Sequence, residues 1–197
     1  MQPYDRRYGD VLDSAEALFA EKGFHATSMR DIAHAAGMSV AGLYYYLPSK
    51  EAALFLICTR TFDRLEAATN GLKAIVHSES RLRAFVHEHL RYMLSNEGAY
   101  RVLLHDMDAL GGEYGERMRI RKRRYFSSAS ELVGRLEMDA EFISPRIAAG
   151  ALFGMLNWTP AWYRRNLDGD IAAVADTMVA IFMGGVAASG SALEVRL

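Results

Sequence analysis

The residues best suited to chemistry are few and scattered. His105, Asp106 and Asp108 have the composition of a metal site, as do His87 and His89. Side chains two apart on a helix lie on nearly opposite faces, so neither group converges on one ion. The HExxH, GxSxG, phosphate-loop and GxGxxG spacings do not occur. Cys58 is the only cysteine, which excludes an internal disulfide and a cysteine-rich zinc site. The expectation is a protein that is not an enzyme and uses neither metal nor cofactor. Two other groups point to binding. One is the run of hydroxyl, small and aromatic residues between Thr27 and Lys50. The other is the cationic stretch Arg119–Arg124 together with Trp158 and Trp162.

These groups must be held by helices. Only four prolines interrupt 197 residues, and apolar residues recur three or four apart. The spacing predicts helices over 4–22, 28–36, 40–46, 50–76, 80–94, 98–110, 113–138, 145–165 and 171–187. Gly23 and Gly37 end the first two, Ser39 and Ser49 cap the third and fourth, and Thr27 and Ser28 both qualify as N-cap of the second. Ser144-Pro145 reads as an N-cap followed by proline at the first helical position. Asn166–Asp170 reads as a turn, and Ala188–Leu197 as a fraying tail.

Two short helices joined by a glycine turn form a helix-turn-helix. Its second helix must be apolar toward the brace and narrow toward a DNA groove. Val40 or Leu43, with Leu47, can anchor it to Ile32 and Phe24, leaving Ser39, Ala41, Gly42 and Tyr45 for the groove. Bulk charge adds nothing: the net charge is -1, and acidic residues outnumber basic ones in the first 50. No apolar stretch follows the N-terminal arginines, and no window is long enough to span a membrane. A cytoplasmic protein is expected.

The combination Ala17-Leu18-Phe19, Gly23-Phe24, Thr27, Ile32-Ala33, Ala36-Gly37, Ser39, Leu43-Tyr44-Tyr45-Tyr46 and Lys50 resembles the DNA-binding domain of the TetR family. The resemblance implies an all-α fold. A three-helix domain over 1–50 would bind a double-stranded operator, and a larger helical domain over 51–197 would bind an effector and dimerise. It implies phosphate contacts from Thr27, Lys50, Tyr44, Tyr45 and Tyr46, and base contacts from Arg30 and Ser39, Val40, Ala41 and Gly42, with Ser28 at the same helix start. Val40, Ala41 and Gly42 depart from the commoner lysine, glycine and threonine, so apolar reading of a base is expected. The family's two C-terminal helices pair with their copies. Ile147, Ala148, Ala151, Leu152, Met155 and Trp158 line one helix here, and Val174, Met178, Ile181, Phe182 and Gly185 the other. Core packing is the compatible alternative.

The stretch Asn157–Arg164 resembles a segment in regulators of fatty-acid and steroid catabolism that bind acyl-CoA thioesters. Trp158 and Trp162 would then wall an acyl pocket or fill the core. At about 100° per residue, Lys122 falls in the apolar arc that includes Phe126, and Arg119 lies at its edge. Either cation can meet an anionic effector head, reach solvent, or pair with Glu88, Glu97 or Asp106. Arg121, Arg123 and Arg124 project outside the arc. The expectation is a ligand-responsive repressor released from its operator by a small hydrophobic or acyl-CoA-type effector. The alternative is an effector-independent or architectural DNA-binding protein.

Overall fold

A computed structural model describes residues 3–137 and 143–187. Its α-helices are α1 (Pro3–Lys22), α2 (Met29–Ala35), α3 (Val40–Tyr46), α4 (Lys50–Asn70), α5 (Ser78–Ser95), α6 (Glu97–His105), α7 (Gly112–Val133), α8 (Pro145–Trp162), α9 (Arg165–Asp168) and α10 (Ile171–Ala187). No strand occurs among the described residues. The all-α class follows from the 3.6-residue periodicity, which gives each helix one apolar stripe to bury.

The chain divides into two compact units. The first comprises residues 1–64 and 96–122, the second 65–95 and 123–197. In the first unit α1 packs on α2 and α6, and α2 on α3. Val11, Leu12, Ala15 and Phe19 of α1 are buried, as are Phe24, Ile32, Ala33, Leu43, Leu47, Leu54, Ile57 and Cys58. Arg60 of α4 binds Asp13 at 2.7 Å and Glu16 at 2.6 Å on α1. These bonds hold its guanidinium charged against the burial that opposes it. In the second unit α5 packs on α10 and α8. Leu82, Val86, Leu90 and Met93 are buried there, with Leu152 and Leu156 of α8 and Val174, Met178 and Phe182 of α10.

Several helix ends differ from the spacing-based expectation. The fourth helix stops at Asn70 rather than Val76. Gly71–Ala74 forms a 3-10 turn, and Ile75 is extended. Glycine disfavours the continuing helix, while β-branched Ile75 and Val76 suit an extended backbone. The sixth stops at His105, with a 3-10 turn over Met107–Ala109. The seventh stops at Val133 before Gly134, and Met138, its expected end, lies outside the described residues, as does the 188–197 tail. The eighth ends at Trp162 rather than at residue 165; Pro160, which lacks the N–H that would bond the Leu156 carbonyl, lies inside its last turn. A single helical turn, α9, occupies most of the expected turn, where Asp168 Oδ2 accepts from the Arg164 N–H at 2.6 Å.

Candidate nucleic-acid interface

The reading head is built from two capped helices and a strict turn. Ser28, not Thr27, caps α2. Its Oγ accepts from the Asp31 N–H, and the Asp31 carboxylate accepts in return from the Ser28 N–H at 2.8 Å. The Ser28 hydroxyl also donates to the Asp31 carboxylate at 2.6 Å, and this bond, with the one from the Ser28 N–H, holds Asp31 below the usual carboxylate range. Ala36 closes α2, and Gly37 follows at φ +61°, a conformation costly for any residue with a Cβ. Arg7 of α1 donates to the Ala36 carbonyl at 2.8 Å, fixing the turn from outside. Ser39 Oγ then accepts from the Gly42 N–H at 3.1 Å and caps α3.

The anchor of α3 is Leu43 with Leu47, both fully buried. Val40 is 37% exposed and lies outward with Ser39, Ala41, Tyr44 and Tyr45. Gly42 is half-buried. This exposed face offers hydroxyls, a methyl and an isopropyl group to a groove, and no charge. Arg30 of α2 is exposed, as is Ser28.

The tyrosines are not equivalent. Tyr45 is 73% exposed and Tyr44 51%. Tyr46 is half-buried and stacks on Tyr4 of α1 at 5.4 Å between centroids, while Tyr4 meets the edge of Tyr45 at 5.8 Å. Tyr4 and Arg7 therefore brace the helix-turn-helix from α1, and sequence reasoning missed both. Tyr4 and Tyr8 share one face of α1 at i, i+4 spacing, but only the tertiary fold reveals that Tyr4 meets α3.

Thr27 and Lys50 are placed inward. Thr27 is buried, and its hydroxyl donates to the Gly23 carbonyl at 2.9 Å. Lys50 is half-buried; its ammonium donates to the carbonyls of Phe24 at 2.8 Å and Thr27 at 2.9 Å and lies 4.3 Å from the Phe24 ring centroid. Both side chains shape the loop before α2. That differs from the outward presentation the resemblance implies.

Of the expected ligand residues, Arg119 and Lys122 belong to the first unit and Phe126, Trp158 and Trp162 to the second. Arg119 is exposed and bonds Glu116 at 2.9 Å on its own helix. Lys122 is exposed, not within the apolar arc. Arg121 takes the inward position instead: it ion-pairs with Asp63, donates to the Thr59 carbonyl at 3.3 Å and lies over Phe62. A carboxylate and a ring on α4 give Arg121 a partner, and Lys122, about 100° further round the helix, is left in water. Phe126 is half-buried and stacks on Phe153 at 5.7 Å. Trp158 and Trp162 are 69% and 40% exposed and line an open apolar cleft with Met155, Val174, Met178 and Ile181. Among the described residues no group of three His, Cys, Asp or Glu side chains is placed to hold a metal ion.

Residues 11–56 match the model of bacterial regulatory proteins of the tetR family, and residues 76–186 the model of the tetracyclin repressor-like C-terminal domain. The transcriptional activator FasR of Mycolicibacterium smegmatis is 30% identical over 102 residues, covering 51% of this chain and 47% of that protein. The transcriptional repressor KstR2 of Rhodococcus jostii is 50% identical over 59 residues, covering 30% of this chain and 29% of that protein. The chain thus spans about half, or less, of the curated relatives it matches. The solved structure of AibR in complex with isovaleryl coenzyme A and operator DNA aligns with a TM-score of 0.80 at 27% identity, over 90% of this chain and 98% of that one. One family model accounts for its N-terminal helices and another for more than half its length, so this chain belongs to the TetR family of DNA-binding transcriptional regulators.

Proposed function

We propose that this regulator is a homodimeric repressor released from its operator by a small effector, of which an acyl-CoA thioester is the leading class. The observation that carries the DNA part is the uncharged, exposed face of α3, held between a capped start and a buried Leu43–Leu47 anchor. Residues 1–50 form the reading head in this proposal, and residues 51–197 sense the effector and join the subunits. Ser39, Val40, Ala41 and Gly42 read bases, largely through apolar contact and backbone approach. Arg30 reads a guanine. Tyr44, Tyr45 and Ser28 reach phosphates, while Lys50 and Thr27 support the loop whose N–H groups face them. Lys50 keeps one ammonium N–H beyond the two that it donates to the loop.

The effector part rests on AibR, whose bound isovaleryl coenzyme A and operator DNA make it a relative by fold that carries both ligands. The cytoplasm is the compartment where such ligands and DNA meet. No helix among the described residues is long and apolar enough to cross a membrane.

The test starts from selection of bound duplexes out of a random double-stranded library, followed by gel-shift titration of the winner. Wild type should select one palindromic sequence with half-sites about one helical turn apart. Tyr45→Ala should weaken binding roughly tenfold, by loss of a phosphate contact. Isovaleryl coenzyme A should loosen the complex. Failure to select any sequence would refute the repressor reading; selection without ligand effect would favour effector-independent binding.

A further inference from the structure

The exposed face of α3 carries no charge, so its hold on the DNA backbone falls on hydroxyls. Two nearby cations are committed elsewhere. Lys50 donates to the carbonyls of Phe24 and Thr27, and Arg7 donates to that of Ala36. A charge attracts phosphate over a range of distances, whereas a neutral hydroxyl bonds only within about 3 Å and close to in line. The direction in which Tyr45 points therefore matters more than it would beside a free lysine.

Tyr45 is 73% exposed, and a side chain so placed changes rotamer freely unless a neighbour stops it. Two rings stand in its way. Tyr46, next along α3, meets it at 5.2 Å with the planes at 90°. Tyr4 of α1 meets it at 5.8 Å and 89°. Tyr4 and Tyr46 lie 5.4 Å apart with 25° between their planes, so Tyr45 stands perpendicular to a stacked pair. These separations lie in the range of favourable aromatic pairs. Tyr4 is itself held, because it stacks on Tyr8 of the same helix at 6.3 Å and 19°. Arg7 ties that stretch of α1 to the end of α2. All of these residues belong to the first unit.

We propose that Tyr4 is a positioning residue for operator binding, whose ring fixes the exposed Tyr45 in the orientation that meets phosphate before DNA arrives. The proposal rests on the reading of Tyr45 as a phosphate contact, and adds the residue that makes the contact preformed. A side chain ordered in advance loses less freedom on binding. Tyr4 acts through its ring, and its own hydroxyl is not required. Phosphate contacts carry no sequence information, so Tyr4 raises affinity for the operator and for other duplexes alike.

The test uses the full chain and gel-shift titration, with the selected operator and with an unrelated duplex at low salt. Wild type is compared with Tyr4→Leu, Tyr4→Phe, Tyr45→Ala and the double variant Tyr4→Leu with Tyr45→Ala. Tyr4→Leu should weaken binding about three- to fivefold, the factor for ordering one side chain on binding. Tyr4→Phe, which keeps the ring, should rescue it. In the Tyr45→Ala background nothing remains to be positioned, so adding Tyr4→Leu should change affinity by less than about 1.5-fold. A merely structural role predicts an equal loss in both backgrounds, because a loosened α1–α3 contact would weaken every remaining DNA contact. A urea melt of each variant shows that the head is folded. Should the leucine variant melt early, Tyr4→Met, which still packs on Tyr8, replaces it in both backgrounds. Equal losses in the two backgrounds overturn the proposal, as does Tyr4→Leu binding like wild type. Tyr4→Phe as weak as Tyr4→Leu also overturns it, and gives the Tyr4 hydroxyl a DNA contact of its own. Tyr45→Ala binding like wild type removes the phosphate reading, and the proposal with it.

Discussion

Three side chains show how a residue's chemistry depends on its surroundings. Thr27 and Lys50 are legible in the sequence as markers of the reading head, but not in their roles. A hydroxyl before a helix suits a cap, a phosphate contact or a turn bond equally, and burial selects the last. Thr27→Val, which keeps the volume and deletes the donor to Gly23, should cost about 1 kcal/mol in a urea melt. Lys50→Met removes a charged donor from two carbonyls, of which that of Phe24 still accepts from the Thr27 N–H at 3.3 Å, and should cost about 2 kcal/mol; an unchanged denaturation midpoint would show that the clamp is incidental. His89 is a stronger case, because no spacing rule marks it. It is buried on α5, with Nδ1 3.0 Å from the Tyr125 hydroxyl and a further hydrogen bond to Asn157. Burial pushes it down from the ordinary 6.5 to about 4, against the Asn157 bond that raises it. The unfolded chain therefore binds a proton that the folded chain refuses between those values. Stability is complete above pH 6.5 and falls as pH drops toward 4. Between pH 7 and 5 the loss should be about 2 kcal/mol, and His89→Gln should flatten that segment of the stability profile. Cys58, pushed up to about 12 by burial, stays a thiol throughout.

Helices were legible where apolar period, cap and breaker agreed. Helix α3 is the clearest: Ser39, the Leu43–Leu47 pair and Pro48 bound it on sequence grounds, and the structure returns Val40–Tyr46. The choice between Val40 and Leu43 as anchor needed the fold, since both are branched apolar residues on one short helix. Ser39→Ala removes the bond from the Gly42 N–H and should cost about 1 kcal/mol. Because the reading face starts at that cap, operator affinity should fall with it, which parallel melting and gel-shift curves would show. The end of α4 was less legible. Ala67 and Ala68 carry the periodic pattern up to Gly71, and Leu72, Ile75 and Val76 continue it in number but not in helix. The difference has a structural consequence, because the turn after Asn70 places Lys73 with Thr69 and Arg81 in the lining of one cavity of the second unit. The apolar arc of α7 that includes Phe126 is legible: Met118, Tyr125, Ala129, Leu132 and Val133 are buried and Phe126 is half-buried. Its phase at the cations is not. Periodicity cannot register that Asp63 and Phe62 on another helix offer Arg121 a partner.

At the scale of the whole molecule, the question is what covers the outer faces of α8 and α10. The sequence supplied both helices with apolar residues all round, which left core and subunit contact superposed. The structure shows which of these residues the chain itself buries. Ala148, Leu152 and Leu156 of α8 and Val174, Met178 and Phe182 of α10 are buried within the chain, whereas Ile147 and Trp158 are 69% exposed and Ile181 62%. Exposed Ala151, Gly150 and Gly154 lie between Ile147 and Trp158, and a Cβ added at either glycine would meet nothing within 4 Å. Small residues between large apolar ones let two helices approach closely, and an apolar patch of this kind on a regulator marks a protein contact. An isologous interface through this face would bring each α8 and α10 against its copy. Two reading heads bind far more tightly than one, because the second engages at high effective concentration. Trp158→Glu with Ile181→Glu places two charges in that interface while leaving the intrachain core untouched. Sedimentation should show a dimer for wild type and a monomer for the variant, with the helical signal retained. Operator affinity should then fall by about 100-fold or more as bivalency is lost. A variant that remains dimeric and binds DNA normally would place the subunit contact on another face.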